Sequence, residues 1–181
     1  KTKSPLFAEL SSPLVEINTS GTSATITAGS SKFKIQGISK DEYPEITDLP
    51  EMTKLSFTGA LLKELLSKTV FSAGKDETKP ILGSVFLEWS DTLTAFTGTD
   101  GKRLAKAQAQ IKETSSGLQS FILPTKTVDE MIRLLDSKEE EALLSFTEDK
   151  ISLRVGSLTL ISKLLSGQYP NVSQIIPETR I

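Results

Sequence analysis

The chain has 181 residues, of which 37% are hydrophobic and 24% are charged, and its formal net charge is −2. This length is sufficient to bury a hydrophobic core. No apolar run approaches the roughly 20 residues of a membrane-spanning helix, so we expect no membrane contact. The small negative charge argues against tight electrostatic binding of nucleic acid by the whole surface, but it leaves room for a local basic face.

The sequence contains neither Cys nor His. Without Cys there are no disulfides or thiolate metal sites, which fits a reducing cytoplasm. Without His the chain lacks the commonest general base and the commonest metal ligand, which argues against an enzyme. We therefore expect a cytoplasmic protein with no metal site and no cofactor.

Three segments carry the hydrophobic periodicity of helices: residues 4–12, 58–70 and 125–137. The second and third each place their large apolar residues on one stripe, as expected for helices that pack on a core. The stripes are Leu61, Leu62, Leu65 and Leu66, and then Val128, Met131, Ile132 and Leu135.

The start of the third helix carries its own signals. Pro124 precedes it, and Thr127 and Glu130 have the spacing of a capping box, in which the two side chains bond reciprocally to backbone N–H groups. These signals predict that the Thr127 hydroxyl caps the helix.

Each predicted helix is followed by three strand-like runs, and turn residues separate them. The turn signals are Ser20-Gly21, Asp100-Gly101, Glu148-Asp149 and Gly156. Short strands at 54–59 and 120–125 lead into the second and third helices. The nine runs are 14–20, 23–29 and 32–37, then 84–89, 93–98 and 103–111, then 142–148, 150–156 and 158–165.

A Tyr-Pro pair occurs twice, at 43–44 and at 169–170, each time after a strand-like run. The repeat indicates that one unit of a helix and three strands is used more than once. Two units form one domain, which places a domain boundary within residues 47–54. The chain therefore reads as the second half of one domain followed by a whole domain, as expected for a fragment of a longer protein.

Four segments in this order and spacing resemble the bacterial sliding clamp family, the beta subunit of the DNA polymerase III holoenzyme. They are 79–89 (KPILGSVFLEW), 96–107 (FTGTDGKRLAKA), 121–135 (FILPTKTVDEMIRLL) and 161–177 (ISKLLSGQYPNVSQIIP). The resemblance implies an α+β DNA clamp fold, in which helices line a ring and antiparallel sheets lie outside. It assigns residues 1–48 to the second half of the N-terminal domain and 52–181 to the middle domain, with the third domain absent.

The family is non-catalytic: a homodimeric ring encloses duplex DNA without sequence specificity. Strong phosphate contacts would oppose sliding, so sparse cations on the inner helices suit this role. The resemblance places six basic residues towards DNA: Lys63, Lys68, Lys75, Lys79, Lys126 and Arg133.

The resemblance also implies a pocket for short linear motifs of the polymerase alpha subunit, the clamp loader and repair polymerases. Apolar side chains would receive aliphatic and aromatic anchors, and polar ones would lie at the rim. His is common in the family where Lys102 stands, and a basic residue is common where Gln174 stands. The wall on this chain is Leu82, Thr99, Gly101, Lys102, Arg103, Leu104, Pro170, Gln174 and Ile175.

The run at 32–37 corresponds to a strand at the family's subunit interface. We expect Lys32, Phe33, Lys34, Ile35 and Gln36 to contribute to that interface, although the alternating polar residues also fit a plain outer face.

Two other functions remain open from the residues alone. A β-rich module that binds peptide or carbohydrate, with no role on DNA, would explain the strands and the acidity but not the order of the four segments. A hydrolase using carboxylates such as Glu77 and Asp100 would need both in one cleft. The position of the second and third helices separates these functions, because a clamp needs them side by side.

Overall fold

The computed structural model of the protein describes residues 14–43, 53–76, 78–135 and 140–172, without the side chains of 53 and 112–117. The chain divides into two compact units, Lys1–Asp48 and Leu49–Ile181. The first predicted helix, at residues 4–12, lies outside the described residues.

The first unit contains an antiparallel three-stranded sheet of β1 (Glu16–Ser20), β2 (Ser23–Ala28) and β3 (Ser31–Gln36) in sequence order. The turn between β1 and β2 uses Gly21 at φ 56°, as the Ser-Gly signal predicts. A short 3₁₀ helix, Lys40–Glu42, follows, and the Ser39 side chain accepts a hydrogen bond from the backbone N–H of Asp41. All three predicted strands are present.

The second unit contains the other elements in chain order. They are β4 (Thr53–Thr58), α1 (Gly59–Val70), β5 (Ser84–Thr99), β6 (Leu104–Pro124), α2 (Thr125–Leu134), β7 (Glu141–Phe146), β8 (Lys150–Val155) and β9 (Leu158–Lys163). One antiparallel sheet has the order β4-β7-β8-β9, and β5 pairs with β6 in a second. The predicted mixture of helices and antiparallel sheets is confirmed.

The first strand of the second unit, β4, pairs with β7, a strand far from it in the sequence. Leu55 of β4 faces Leu144 of β7, which in turn faces Leu153 of β8, and all three are fully buried. The row lies in the larger of the two hydrophobic clusters that the described residues of this unit form. Because β4 precedes α1 and β7 follows α2, this pairing joins the two halves of the repeat into one domain.

The two helices form as their stripes predict. Thr58 caps α1, its hydroxyl accepting a hydrogen bond from the Leu61 N–H at 3.3 Å. Of the two predicted stripes all residues but Leu61 and Ile132 are buried, and even these two pack against the core. The helices contact each other as well as the core, as a clamp requires of them.

The predicted capping box is wrong. Helix α2 begins at Thr125, with Pro124 as its N-cap and no side-chain cap bond. Thr127 therefore lies inside the first turn, buried, and its hydroxyl is 2.6 Å from the Ser162 hydroxyl of β9. The N-cap is therefore Pro124, three residues before the N-cap that the capping-box spacing indicates, and the threonine joins the helix to the sheet instead.

The runs predicted at 84–89 and 93–98 are parts of one continuous strand, β5, and the runs at 103–111 and 120–125 overlap the two ends of β6. The register between the strands shifts on either side of Asp91, which has φ 48°. Irregular pairing on both sides of Asp91, together with its positive φ, therefore separates the two halves of β5.

Candidate partner-binding and DNA-facing surfaces

The turn between β5 and β6 is held by the side chains of two of its own residues. The buried Thr99 hydroxyl donates to the Arg103 carbonyl at 2.7 Å and accepts from the Gly101 N–H at 3.0 Å. Gly101 has φ 88°, a conformation that side chains disfavour. Thr99 and Gly101 therefore shape the turn, and Lys102 and Arg103 beside them are exposed.

Asp100 completes the turn and positions Arg103. Its carboxylate accepts the backbone N–H groups of Lys102 at 2.9 Å and Arg103 at 3.0 Å, and the Arg103 Nε at 3.0 Å. These bonds, chiefly that from the Lys102 backbone and then that from Arg103, hold the pKa of the Asp100 carboxyl below its usual value. Asp100 is thus committed to the turn, which argues against its use as a hydrolytic acid or base; Glu77 lies outside the described residues.

Beyond the turn, an apolar cluster joins the end of the described chain to the β5–β6 sheet. It consists of the buried residues Ile122, Tyr169 and Val172, against which Leu104 and Phe86 pack among other half-buried side chains. The Tyr169 ring stacks on that of Phe86 with centroids 4.7 Å apart and planes within 5°. Burial raises the pKa of Tyr169 to about 12.

Tyr43 and Tyr169, the two tyrosines of the repeated pair, are placed differently. Tyr169 is 7% exposed, whereas Tyr43 is 64% exposed at the end of the 3₁₀ helix. Pro170 is half-buried and lines a groove of about 640 Å³ beside the apolar cluster. The second Tyr-Pro pair therefore lines a groove on the surface of its own unit.

The predicted pocket wall is distributed over three neighbouring features. Leu82, Lys102 and Arg103 line one cavity of about 370 Å³, Leu104 packs on the apolar cluster, and Pro170 lines the groove. Gln174 and Ile175 lie outside the described residues. The pocket as a whole stays a prediction.

The helices carry four of the six predicted DNA-facing cations. Lys68 pairs with Glu64, and Arg133 with Glu130 at 2.8 Å, each within its own helix. Lys126 is exposed and Lys63 half-buried, and neither has a salt bridge to another described residue. Since Asp129 is also exposed on α2, the cations of the two helices are largely balanced, and the face they offer is weakly basic.

The other two predicted DNA-facing cations, Lys75 and Lys79, are exposed in the loop after α1. They line the same cavity as Leu82, Lys102 and Arg103. Sequence reasoning assigned these lysines and the pocket residues to separate surfaces. About 25 residues separate the two stretches, and only the fold brings them together.

In the first unit, β3 is an edge strand of its sheet. Phe33 and Ile35 are 38% and 46% exposed and share a sheet face with the buried Ile26, since Ile26 is directly opposite Phe33. Lys32, Lys34 and Gln36 alternate on the other face, and Gln36 donates to the Thr22 hydroxyl at 2.6 Å. Their place at a subunit interface stays a prediction.

Within the described parts of the chain, no cluster of His, Cys, Asp or Glu is arranged to hold a metal ion. The helices described are all too short or too polar to cross a membrane.

The family model for the central domain of the DNA polymerase III beta subunit matches residues 56–171. The chain belongs to the beta sliding clamp family. The beta sliding clamp of Chlamydia pneumoniae is 36% identical over 172 residues, which are 94% of this chain and 47% of that protein. The clamp of Halalkalibacterium halodurans is 32% identical over 156 residues, 85% of this chain and 41% of that protein.

Solved structures of the same family have the same fold. The DNA polymerase sliding clamp of Bacillus subtilis superposes with a TM-score of 0.86 at 28% identity, over 96% of this chain and 46% of that one. The DNA polymerase III beta subunit of Thermotoga maritima gives a TM-score of 0.79 at 30% identity, over 96% of this chain and 47% of that one. The chain spans about half the length of the clamp relatives it matches.

Proposed function

We propose that the chain is part of a sliding clamp, the processivity factor that encloses duplex DNA and tethers polymerases to it. Family membership over the second unit carries this proposal. In the same proposal the protein is non-catalytic and cytoplasmic, and it assembles as a ring-shaped homodimer when complete. Residues 1–48 are the second half of the N-terminal domain and 52–181 are the middle domain.

The helix face supports a sliding rather than a gripping contact with DNA. Two of its four cations are already paired with carboxylates of the same helix, Lys68 with Glu64 and Arg133 with Glu130. Each phosphate that a protein neutralises releases counterions and tightens binding. A face with few unpaired cations gives weak contacts that duplex DNA can pass over, while the closed ring prevents its escape.

The second half of the proposal is docking by short linear motifs of the polymerase alpha subunit, clamp loader and repair polymerases. The apolar cluster around Tyr169 and Leu104 supplies surface for aliphatic and aromatic anchors. Lys102 and Arg103, which precede Leu104 in the sequence, are exposed and offer polar contacts to a partner. Buried anchors surrounded by a polar rim are the usual arrangement of energetically important contacts.

A titration of labelled duplex DNA at low and moderate salt tests the DNA contact. We expect weak binding that salt reduces and that shows no sequence preference, because no element of the described chain is arranged to read base edges. The variant Lys63→Gln/Lys126→Gln should lower the salt dependence, each lost phosphate contact removing about 0.9 from the slope of log K against log salt. Lys163→Gln, on the exposed end of β9, is the matched control.

Tight, sequence-selective binding would contradict the sliding contact. Equal losses in the helix variant and the β9 control would show that the helix face is not the contact surface. Peptide binding without any DNA binding at low salt would favour the β-rich binding module instead.

A further inference from the structure

The sheet β4-β7-β8-β9 has one side in the core and one side turned away from it, here called the outer face. Successive residues of a strand point to opposite sides of a sheet. Leu153 of β8 lies in the core, so Arg154 beside it points to the outer face. By the same alternation and the register of the four strands, the charged residues of the outer face are Lys54, Glu141, Lys150, Arg154 and Lys163.

The outer face is positive, although the chain as a whole has a net charge of −2. Its only carboxylate among the described strand residues, Glu141, already accepts a hydrogen bond from the Ser56 hydroxyl at 2.7 Å. Within the described parts of the chain, Lys150, Arg154 and Lys163 form no ion pair. The outer face therefore carries a local positive charge that no described ion pair neutralises.

Lys150 and Lys163 are directly opposite each other across β8 and β9. Like charges at such positions are about 5 Å apart at Cβ and lower the stability of a sheet. The backbone around the pair is fixed, because the Lys150 N–H donates to the Thr147 hydroxyl at 3.0 Å. The Leu164 N–H likewise donates to the Asp149 carbonyl at 2.7 Å. The two lysines are thus kept in register, and their repulsion is retained in the folded protein.

Two structural explanations do not account for this charge. Lysines on an edge strand prevent pairing with other chains, which explains Lys163 on β9, but Lys150 and Arg154 lie on β8, an inner strand. The carboxylates of the turn between β7 and β8 are engaged elsewhere. Asp149 accepts a hydrogen bond from a hydroxyl of its own turn at 3.1 Å, and Glu148 lines the groove beside the apolar cluster. The positive charge is therefore free to meet an anionic partner.

We propose that the outer face docks an acidic segment of a partner protein, with the carboxylates of that segment over Lys150, Lys163 and Arg154. Charge complementarity identifies the occupant, because its binding relieves the repulsion between the two lysines. Leu143 and Ile161 lie half-buried on the same face and offer apolar surface between the cations, which suits a polypeptide better than a phosphate backbone. A lipid bilayer would need protruding apolar side chains, and these two are half-buried.

The outer face is separate from both surfaces of the proposed function. None of its charged residues lines the groove beside the apolar cluster or the cavity at Arg103. Helices α1 and α2 pack into the core on the other side of the sheet, so duplex DNA held against the helices does not reach the outer face. The inference therefore adds a third contact, and its failure would leave the other two intact.

The test uses two labelled peptides in which Glu alternates with Ser, or Gln alternates with Ser, around one central Leu. Alternate residues of an extended peptide are about 7 Å apart, as are alternate residues along β8, so the Glu side chains can follow Lys150 and Arg154. Fluorescence anisotropy at low salt should show that the unaltered chain binds the Glu peptide about tenfold more tightly than the Gln peptide, as several exposed ion pairs allow. Moderate salt should reduce this difference.

Lys150→Gln/Lys163→Gln should bring the two peptides within about twofold of each other, and Arg154→Gln should weaken the Glu peptide about threefold. Lys163→Gln alone should also raise the thermal midpoint of the free protein by about 2 °C, because it removes the repulsion across β8 and β9. Lys40→Gln is the matched control, since Lys40 is an exposed lysine of the first unit. The control should keep the full preference for the Glu peptide.

Equal affinity of the unaltered chain for the two peptides would overturn the inference, as would an equal loss in Lys40→Gln and in the outer-face variants. Weaker binding of duplex DNA by Lys150→Gln/Lys163→Gln, with no difference between the peptides, would make the outer face a DNA contact instead. Binding to phosphatidylserine vesicles but not to the Glu peptide would make it a membrane contact. Both results would overturn the proposed occupant.

Discussion

The phenolic oxygen of Tyr169 lies 3.3 Å from the carbonyl oxygen of Thr97. The same phenolic oxygen lies 3.5 Å from the carbonyl oxygen of Ser84, 13 residues earlier in the same strand. An extended strand of that length spans roughly 40 Å, so the two ends of β5 meet at one hydroxyl only because the chain turns back near Asp91. Tyr169 therefore joins the segment that carries Pro170 to both halves of β5.

Tyr169→Phe should lower the free energy of unfolding by about 1 kcal/mol, because it removes the hydroxyl and keeps the ring that stacks on Phe86. Chemical denaturation monitored by circular dichroism measures the change. Tyr43→Phe is the control, since that side chain is largely exposed and its replacement should have almost no effect. Equal effects of the two substitutions would show that the Tyr169 hydroxyl does not stabilise the fold.

The same hydroxyl predicts a loss of stability at high pH. Burial raises the pKa of Tyr169 to about 12, whereas the unfolded chain has the ordinary value of about 10. A group whose pKa is raised on folding releases its proton more readily in the unfolded state, so its contribution is complete below pH 10 and is lost as pH rises towards 12. The unfolding free energy of Tyr169→Phe should fall less steeply over this range than that of the unaltered chain. Parallel curves would contradict the assignment.

The helices were predictable from the sequence because their apolar residues recur at helical spacing and all pack into the same core. Leu62, Leu65 and Leu66 recur at helical spacing, and all are buried. The cap of α2 was mispredicted, although its first residue was not, because the spacing of Thr127 and Glu130 fits a capping box equally well inside a helix. Only the tertiary contact with Ser162 shows that the hydroxyl is used elsewhere.

The surfaces were less predictable than the fold. The turn at Asp100 and Gly101 is a local signal and is present. The meeting of Lys75 and Lys79 with Arg103 depends on how the loop after α1 lies against the turn after β5, and no periodic pattern encodes that approach. The family resemblance named most of these residues, but it assigned them to two different surfaces.

At Gly98, strand β5 lies close against the end of helix α1. A Cβ at this position would overlap the Thr69 carbonyl oxygen and lie 2.9 Å from the Ser72 hydroxyl, which itself bonds to the Gly98 carbonyl. Gly98→Ala should therefore push the end of the helix from the strand and lower the unfolding free energy by about 1 to 3 kcal/mol, the usual range for overpacking. The shift of the thermal midpoint measures it.

Gly83→Ala serves as the control for Gly98→Ala. Its added Cβ would meet no atom closer than 3.4 Å, an ordinary contact distance. This substitution should change the thermal midpoint little. If it destabilised the protein as much as Gly98→Ala, the loss at Gly98 could not be attributed to the approach of helix and strand.

The hydrogen bond between Thr127 and Ser162 should couple helix α2 to strand β9. Their hydroxyl oxygens are 2.6 Å apart, and Thr127 is buried. Thr127→Val retains the branched shape but removes the bond, and should cost about 1 kcal/mol of unfolding free energy. A double-mutant cycle with Ser162→Ala should give a coupling energy of about 0.5 to 1 kcal/mol, because either substitution alone already removes the whole hydrogen bond.

Thr159→Val, on the exposed part of β9, should be nearly neutral and additive with both. A coupling energy of zero between positions 127 and 162, measured by denaturant unfolding, would show that the two hydroxyls are adjacent without stabilising each other.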